Sequence, residues 1–516
     1  MCLHCLSQRA AIFLSVMTVL AVGRFHTLAA APENAPSGAA PENAVVKVFA
    51  SVRYPDIYKP WTKLAAADVI GAGVVIEGKR ILCTAYNVLY ANQVQVQGNQ
   101  AGDRLPATVE FAAPAINLAV LKLDDEKFFE SHPALTRSST LPAIKEGVVV
   151  YGYPEGGNNL GSTRAAVAHI EFAPYSSSVG GLRIQVDRGI DAGSSGGPAM
   201  ASGKMIGLAF TRTGAAETTG YLIPAEEIDF FLHDIADGHY DGKPAMWDDI
   251  QSLENAAMRS FLKLDDAVRG VVIRKPNSAD PDYRLKAWDV ITKIGNAPVD
   301  DQGMVKLEGN LRVRFHYLIQ KAAKNGKLPL TIVRAGKELE VSLPVSAQRP
   351  LVIPELDGSY PSYFIYGPMA FTTATSQYLN ALTRDPRTAV NTMTVLAALG
   401  NPLVTRIGDK QAFPDERLVV VASPFFPHKA SAGYSNPAGL VVKSVNGTRI
   451  KNLNHLVEVL RDCKDEFVAI EFDTRLGETP VFRRTDMLKA SDEILSDNGI
   501  RTQGSPDTLA IWNGKP

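Results

Sequence analysis

From Val45 to Phe210 the chain is a series of short β-branched runs separated by Gly-containing turns. They are Val45 to Val52, Ala72 to Ile76, Ile81 to Thr84, Gln93 to Gln97, Leu118 to Leu123, Gly147 to Gly152, Leu182 to Val186 and Lys204 to Phe210. Many short strands at regular spacing predict an all-β barrel or sandwich of about 200 residues. The block closes with Pro224-Ala225-Glu226-Glu227-Ile228-Asp229-Phe230-Phe231-Leu232, whose acidic first turn and apolar spacing predict a helix.

A chain of 516 residues exceeds what one hydrophobic core supports, so further domains must follow. A boundary is expected near Gly238 to Pro244. Residues 245–347 read as a small mixed α/β module, with strands at Gly270 to Arg274, Asp289 to Ile294 and Leu328 to Arg334 and a helix near Phe315 to Ala323. Residues 358–480 repeat the plan with strands at Leu418 to Ala422, Leu440 to Val445 and Phe467 to Phe472 and a helix at Leu453 to Cys463. Both modules carry an apolar strand ending in a Gly/Asn turn, Asp289 to Asn296 and Gly439 to Gly447, which suggests a repeated domain. Residues 481–516 are expected to form a helix near Ala490 and a polar tail.

The N-terminus runs from weakly basic Met1–Arg9 through an apolar stretch, Ala10 to Gly23, to Leu28-Ala29-Ala30-Ala31, the layout of a secretory signal peptide over residues 1–31. An uncleaved anchor is the alternative, and Pro32 disfavours cleavage directly after Ala31. Residues 32–44, with Ala-Pro-Glu-Asn-Ala written twice, form a small-residue linker. The expected location is periplasmic or secreted, and no later apolar run is long enough to span a bilayer. With 53 basic and 54 acidic residues there is no global field to attract nucleic acid. Cys83 and Cys463, far apart in sequence, are expected as separate core thiols and not as a disulfide.

Gly193-Ser194-Ser195-Gly196-Gly197-Pro198 reads as a serine nucleophile loop. Acyl transfer by a serine needs a base for its proton, a group to hold that base, and donors for the oxyanion. Ser195 is the candidate nucleophile, and Gly193, Ser194 and Ser195 are placed at the oxyanion hole, the N–H groups of Gly193 and Ser195 being the expected donors.

These words, with Gly71 to Ile76, Leu118 to Lys122 and Gly152-Tyr153-Pro154, resemble the HtrA/Deg family of serine proteases, a trypsin-like double β-barrel followed by PDZ domains. Leu285 to Ile291 is similar to a PDZ core. Pro361 to Ile365 and Gly447 to Leu453 resemble plant-type members with two PDZ domains. The resemblance implies a mostly β protease domain over residues 45–240 and two PDZ-like α+β modules, assembled as a homo-oligomer that acts on peptides or unfolded proteins in quality control.

At the position of the catalytic His, in Leu82-Cys83-Thr84-Ala85-Tyr86-Asn87-Val88, the residue is Tyr86, and at the position of the Asp it is Asn117. A phenol of pKa about 10 is protonated at neutral pH, and loss of the base costs on the order of 10⁶ in turnover. His132 and His169 lie in segments that offer no replacement. The resemblance therefore implies a serine endopeptidase fold with an inactive site, with Tyr86 packed on Ser195 and Gly207, Leu208, Ala209 and Phe210 lining a specificity pocket.

PDZ domains hold a peptide's terminal carboxylate in a nest of backbone N–H groups. The matching stretch of the first module contains Asp248-Asp249, which would repel a carboxylate, and that of the second, Tyr366 to Ala370, loses a donor at Pro368. The acidic pairs Asp124-Asp125, Asp248-Asp249, Asp265-Asp266 and Asp300-Asp301 are expected in solvated loops or caps, and neither a metal nor a cofactor site is expected. Three functions remain open: a pseudoprotease that binds polypeptide, an endopeptidase using Ser195 with another base, and a scaffold acting through its PDZ-like modules.

Overall fold

β-branched strands pair wherever both neighbours can be satisfied, and here they close twice. The computed structural model describes residues 40–99, 102–154, 157–175, 179–211, 219–278, 280 and 282–514, so the expected signal lies outside the described residues. The first barrel comprises β1 (Val45–Val52), β2 (Ala67–Ile76), β3 (Arg80–Cys83), β4 (Ala91–Gly98), β5 (Leu105–Ala113) and β6 (Leu118–Leu123), closed in the order β1-β2-β3-β6-β5-β4. A one-turn helix, α1 (Ala85–Val88), follows β3. The second barrel comprises β7 (Gly147–Gly152), β8 (Gly161–Pro174), β9 (Gly180–Val186), β10 (Pro198–Ala201), β11 (Lys204–Phe210) and β12 (Gly220–Pro224), closed as β10-β11-β12-β9-β8-β7. Closure leaves no free edge to be covered. The fold is mostly β, a trypsin-like double barrel followed by a PDZ region, as the sequence implied.

Eight strands of these barrels sit on the runs read from sequence, while β5, β8, β10 and β12 were not anticipated. Most positions of β5 and β8 are exposed or half-buried, so their composition lacks the apolar runs that announce the others. The expected helix is α2 (Ala225–Asp234), which buries Ile228 and Phe231 against the cluster that fills the first barrel.

The first module is a sheet of β13 (Asp249–Ser252), β14 (Val271–Lys275), β15 (Val290–Ile294), β16 (Lys327–Arg334) and β17 (Lys337–Pro344) in that order, with α3 (His316–Ala322) against it. Its core, including Ile291, Phe315, Ile319 and Leu328, is continuous with that of the second barrel through Ile184, Leu222 and Met246. Polar ties reinforce the join. Buried Glu227 accepts from Leu182 N–H at 2.7 Å and pairs with Lys243 at 2.6 Å, and Tyr317 donates to Glu226 at 3.0 Å.

The second module has β18 (Tyr363–Tyr366), β19 (Met369–Thr373) and β20 (Val419–Val421) as one sheet, with β21 (Val442–Val445), β22 (Phe467–Phe472) and β23 (Val481–Arg483) in another. An unanticipated helix, α4 (Pro386–Ala398), has no buried residue, which is why apolar periodicity did not reveal it. The predicted helix near 453 is α5 (Leu453–Asp462). The expected C-terminal helix is α6 (Arg484–Asp497), but the residues beyond it are not a free polar tail. They pair with β18 through Ile365 N to Gln503 O at 2.8 Å and Ser505 N to Tyr363 O at 3.0 Å, then form α7 (Pro506–Trp512).

An aromatic clasp joins this module to the first barrel. The segment between β1 and β2 sends Trp61 against Phe426, with ring centres 5.2 Å apart, and Tyr58 against Tyr378 at 5.9 Å. Tyr360 packs on Tyr90 at 5.3 Å, receives Lys63 over its ring at 3.8 Å and donates to Arg53 O at 2.8 Å. Among the described residues no helix is long and apolar enough to cross a membrane.

Candidate functional site

The nucleophile loop crosses between the two barrels, and its glycines are dictated by backbone contact. Gly196 has φ +91°, and a Cβ there would lie 2.0 Å from Ala72 O, while one on Gly197 would lie 1.9 Å from Tyr151 O. Only glycine admits that approach. The loop is pinned on both sides: Ala72 N–H donates to Ser195 O at 2.9 Å, Asn87 Nδ2 to the same oxygen at 3.0 Å, and Gly196 N–H to Ala209 O at 2.8 Å.

Ser195 is buried, and its hydroxyl is engaged by Thr211 at the end of β11. The two side-chain oxygens are 2.9 Å apart and Thr211 N–H donates to Ser195 Oγ at 3.1 Å. A threonine hydroxyl is no general base. Tyr86 projects from α1 with 54% of its surface exposed, and partial burial with the nearby Glu355 carboxylate pushes its phenol above the ordinary value. It is therefore protonated at neutral pH. The hydroxyl of Ser195 is held by Thr211.

Asn117 does lie beside Tyr86. Its Oδ1 accepts the Tyr86 backbone N–H at 3.0 Å, satisfying a donor that the first turn of α1 leaves unpaired. It adopts the left-handed conformation, φ +56° and ψ 41°, which asparagine tolerates better than most residues. The fold thus gathers Tyr86, Asn117 and Ser195 around α1, with Thr211 as the partner of the serine hydroxyl.

The oxyanion donors are also spoken for. Residues Ala192–Ser194 form a single 3₁₀ turn in which Asp191 Oδ1 accepts Gly193 N–H at 2.8 Å and Ala192 O accepts Ser195 N–H at 3.0 Å. The expected donors therefore point into the loop itself. Gly207 to Phe210 were expected to line a specificity pocket. Leu208 and Ala209 are fully buried, Gly207 lies against Ile223 O, and Phe210 packs between Tyr175 and Tyr221 with both ring centres at 5.9 Å. These residues are buried in the barrel, with Phe210 between two tyrosine rings.

Comparison with known proteins now places the chain. Residues 71–208 match the trypsin-like peptidase domain family and residues 353–507 the PDZ domain family. The chain is 30% identical over 473 residues to Protease Do-like 2, chloroplastic, of Arabidopsis thaliana, spanning 90% of this chain and 75% of that one. It belongs to the HtrA/Deg (Do-like) protease family. Protease Do-like 4, mitochondrial, of the same plant is 29% identical, over 84% of this chain and 79% of that one. Among solved structures, HtrA-type protease AlgW with tripeptide is 20% identical with a TM-score of 0.46, covering 60% of this chain and 95% of that one.

In this HtrA/Deg chain polar groups of both stretches expected to receive a peptide carboxylate are engaged within their own module. In the first module Asp248 is buried, accepting Asn277 N–H at 2.8 Å and the Tyr283 hydroxyl at 3.0 Å, while Asp249 pairs with Arg274 at 2.8 Å. The expectation of two solvated carboxylates repelling a ligand is thus replaced by one structural and one paired carboxylate. Asp301 likewise binds Gly270 N–H at 3.1 Å inside the module. The adjoining groove narrows to a cavity of about 210 Å³ lined by Phe172, Val179, Met246, Trp247, His316 and Ile319. His316 stacks on Phe172 and Phe315, and burial together with Arg314 pulls its pKa down to about 4.

In the second module Gly367 and Pro368 form the turn of the β18–β19 hairpin. Gly367 N–H goes to Ser491 Oγ at 2.7 Å, so the stretch is no open nest. The edge of this three-stranded sheet, where a peptide would add, is taken by residues 503–505. The roles of Thr211, Asn87 and Asp191 were not read from sequence. Their roles come from contacts 16 and 108 residues away, and from one local cap whose Asp-x-Gly spacing is the only sequence trace.

Proposed function

We propose that this HtrA/Deg family member is an exported pseudoprotease that binds peptides or unfolded polypeptide in protein quality control without efficient cleavage. The observation that carries the reading is at Ser195, whose hydroxyl is bonded to Thr211 while the residue at the base position is an exposed tyrosine. A serine without a base retains only the modest rate that binding and oxyanion stabilisation supply, roughly 10³ to 10⁴ over water. Here the oxyanion donors are engaged as well.

Polypeptide binding is assigned to a cavity of about 850 Å³ between the first barrel, at Ala112, Pro114 and Ala115, and the inter-module segment from Ser346 to Asp357. Arg349, Arg417, Glu355 and Asp357 give its walls both charge signs, suited to a backbone with mixed side chains. The apolar stretch before residue 32 supports export, and homo-oligomeric assembly is the family expectation carried to this chain.

The test compares the wild-type chain with Ser195→Ala on fluorescently labelled unfolded casein, reading fragments and binding in the same samples. The proposal expects equal binding and no Ser195-dependent fragments. Fragments made by wild type and not by Ser195→Ala would establish an active endopeptidase. Absence of binding in both would favour a scaffold.

A further inference from the structure

Two features of the nucleophile loop are independent of the missing base. The Gly193 N–H is directed at Asp191 Oδ1, 2.8 Å away, and the Ser195 N–H at Ala192 O, 3.0 Å away. An oxyanion must lie about 2.7–3.1 Å from such donors along their N–H axes. The two donors here have separate acceptors within the loop, so they do not converge on one point outside it. The Asp191 side chain thus engages the Gly193 donor that an oxyanion would need. Asp191 also N-caps the turn, with extended φ −62° and ψ 146°, and its main-chain oxygen accepts Ser194 N–H at 3.0 Å. The side-chain bond thus favours the turned-in loop over one with Gly193 N–H facing outward.

We infer that Asp191 is a positioning residue that closes the oxyanion site, a block on acyl transfer separate from the loss of the base. The inference rests on the pseudoprotease reading and deepens it: supplying a base and its carboxylate partner is not sufficient to make this chain react. The Asp191 bond is the part of the lock that a single side chain controls. The Ala192 carbonyl is main chain, and Asn87 and Ala72 hold the Ser195 carbonyl.

The test begins from the full chain carrying Tyr86→His and Asn117→Asp. A fluorophosphonate probe reads acylation-like chemistry: a bond forms from Ser195 Oγ to phosphorus, fluoride leaves, and the serine proton passes to the introduced imidazole. The phosphonyl oxygen requires the oxyanion donors. Adding Asp191→Ala to the double variant is expected to raise the labelling rate about tenfold, the worth of one N-cap bond. Adding Asp191→Asn, whose amide oxygen caps the same N–H, should leave the rate within about twofold. Equal rates for the double variant and its Asp191→Ala derivative overturn the inference, as does an increase shared by Asn and Ala.

A second measurement needs no engineered base. In the otherwise wild-type chain, Asp191→Ala should speed amide exchange of peptides spanning residues 189–197 about tenfold, read by mass spectrometry, with Asp191→Asn unchanged. Unaltered exchange in the Ala variant overturns the inference. Cleavage of casein by the wild-type chain would defeat the pseudoprotease reading while leaving this comparison readable.

Discussion

Asn87 Nδ2 donates to the main-chain oxygen of Ser195 at 3.0 Å, with both residues buried, so the helix that bears Tyr86 is bonded directly to the nucleophile loop. The same oxygen retains Ala72 N–H, which limits the cost of losing the amide. Asn87→Ala should destabilise the chain by about 1–2 kcal/mol, the range of one buried hydrogen bond. Asn87→Asp should cost more, because it sets a buried carboxylate against a carbonyl oxygen. Urea unfolding of the two variants checks the order, and an aspartate variant more stable than the alanine would contradict it.

Glu227 is 2% exposed and receives Leu182 N–H, Lys243 and Gln320. Removing it leaves the nearly buried Lys243 ammonium without its counter-charge, so Glu227→Ala should cost about 3–5 kcal/mol. Adding Lys243→Met should recover part of that loss. A double-mutant cycle by denaturant unfolding measures the coupling, and strict additivity would show the pair to be independent.

His316, held neutral with its pKa near 4 between Phe172 and Phe315, makes the join of second barrel and first module sensitive to acid. Its folded-state value lies below the unfolded value of about 6.5, so the unfolded chain binds the extra proton. Its contribution is complete above about pH 6.5 and is lost as pH falls toward 4. His316→Phe should flatten the pH dependence of thermal stability in that window, and an unchanged slope would assign it to other groups.

The aromatic clasp predicts a local effect. Trp61→Ala removes the ring that meets Tyr363 and Phe426 and should loosen the second module from the first barrel. Limited proteolysis should then cut several-fold faster within residues 345–360, with the barrels intact. Tyr360→Phe, which loses only the bond to Arg53 O, should have a smaller effect, of about 0.5–1.5 kcal/mol.

Burial pushes the Cys83 thiol up to about 12. The thiolate is the reactive form, so Cys83 should resist a maleimide at pH 8 in the native chain and react once unfolded. Mass mapping of the labelled peptide checks this, and native-state labelling at Cys83 would contradict it.

The sequence by itself determined the elements whose signal is local. The β-branched runs that became β1, β6, β7 and β11 announce themselves because strands buried in a closed barrel need apolar side chains along their length. Gly196 and Gly197 are equally legible, since only glycine fits where the loop backbone touches Ala72 and Tyr151. That Tyr86 and Asn117 stand where the family resemblance places His and Asp is likewise read from the sequence directly. What only the tertiary structure decided depends on groups distant in the chain. Thr211 reaches Ser195 because β11 returns beside the loop, Phe210 is packed between two tyrosines distant in sequence, and residues 503–505 close a sheet edge 138 residues upstream. Hydrogen-bond donors carry no mark in sequence of where they will be spent; the fold determines which acceptor comes within 3 Å. That is why Gly193 and Ser195 read as free donors in the sequence and lie bonded within their own loop in the structure.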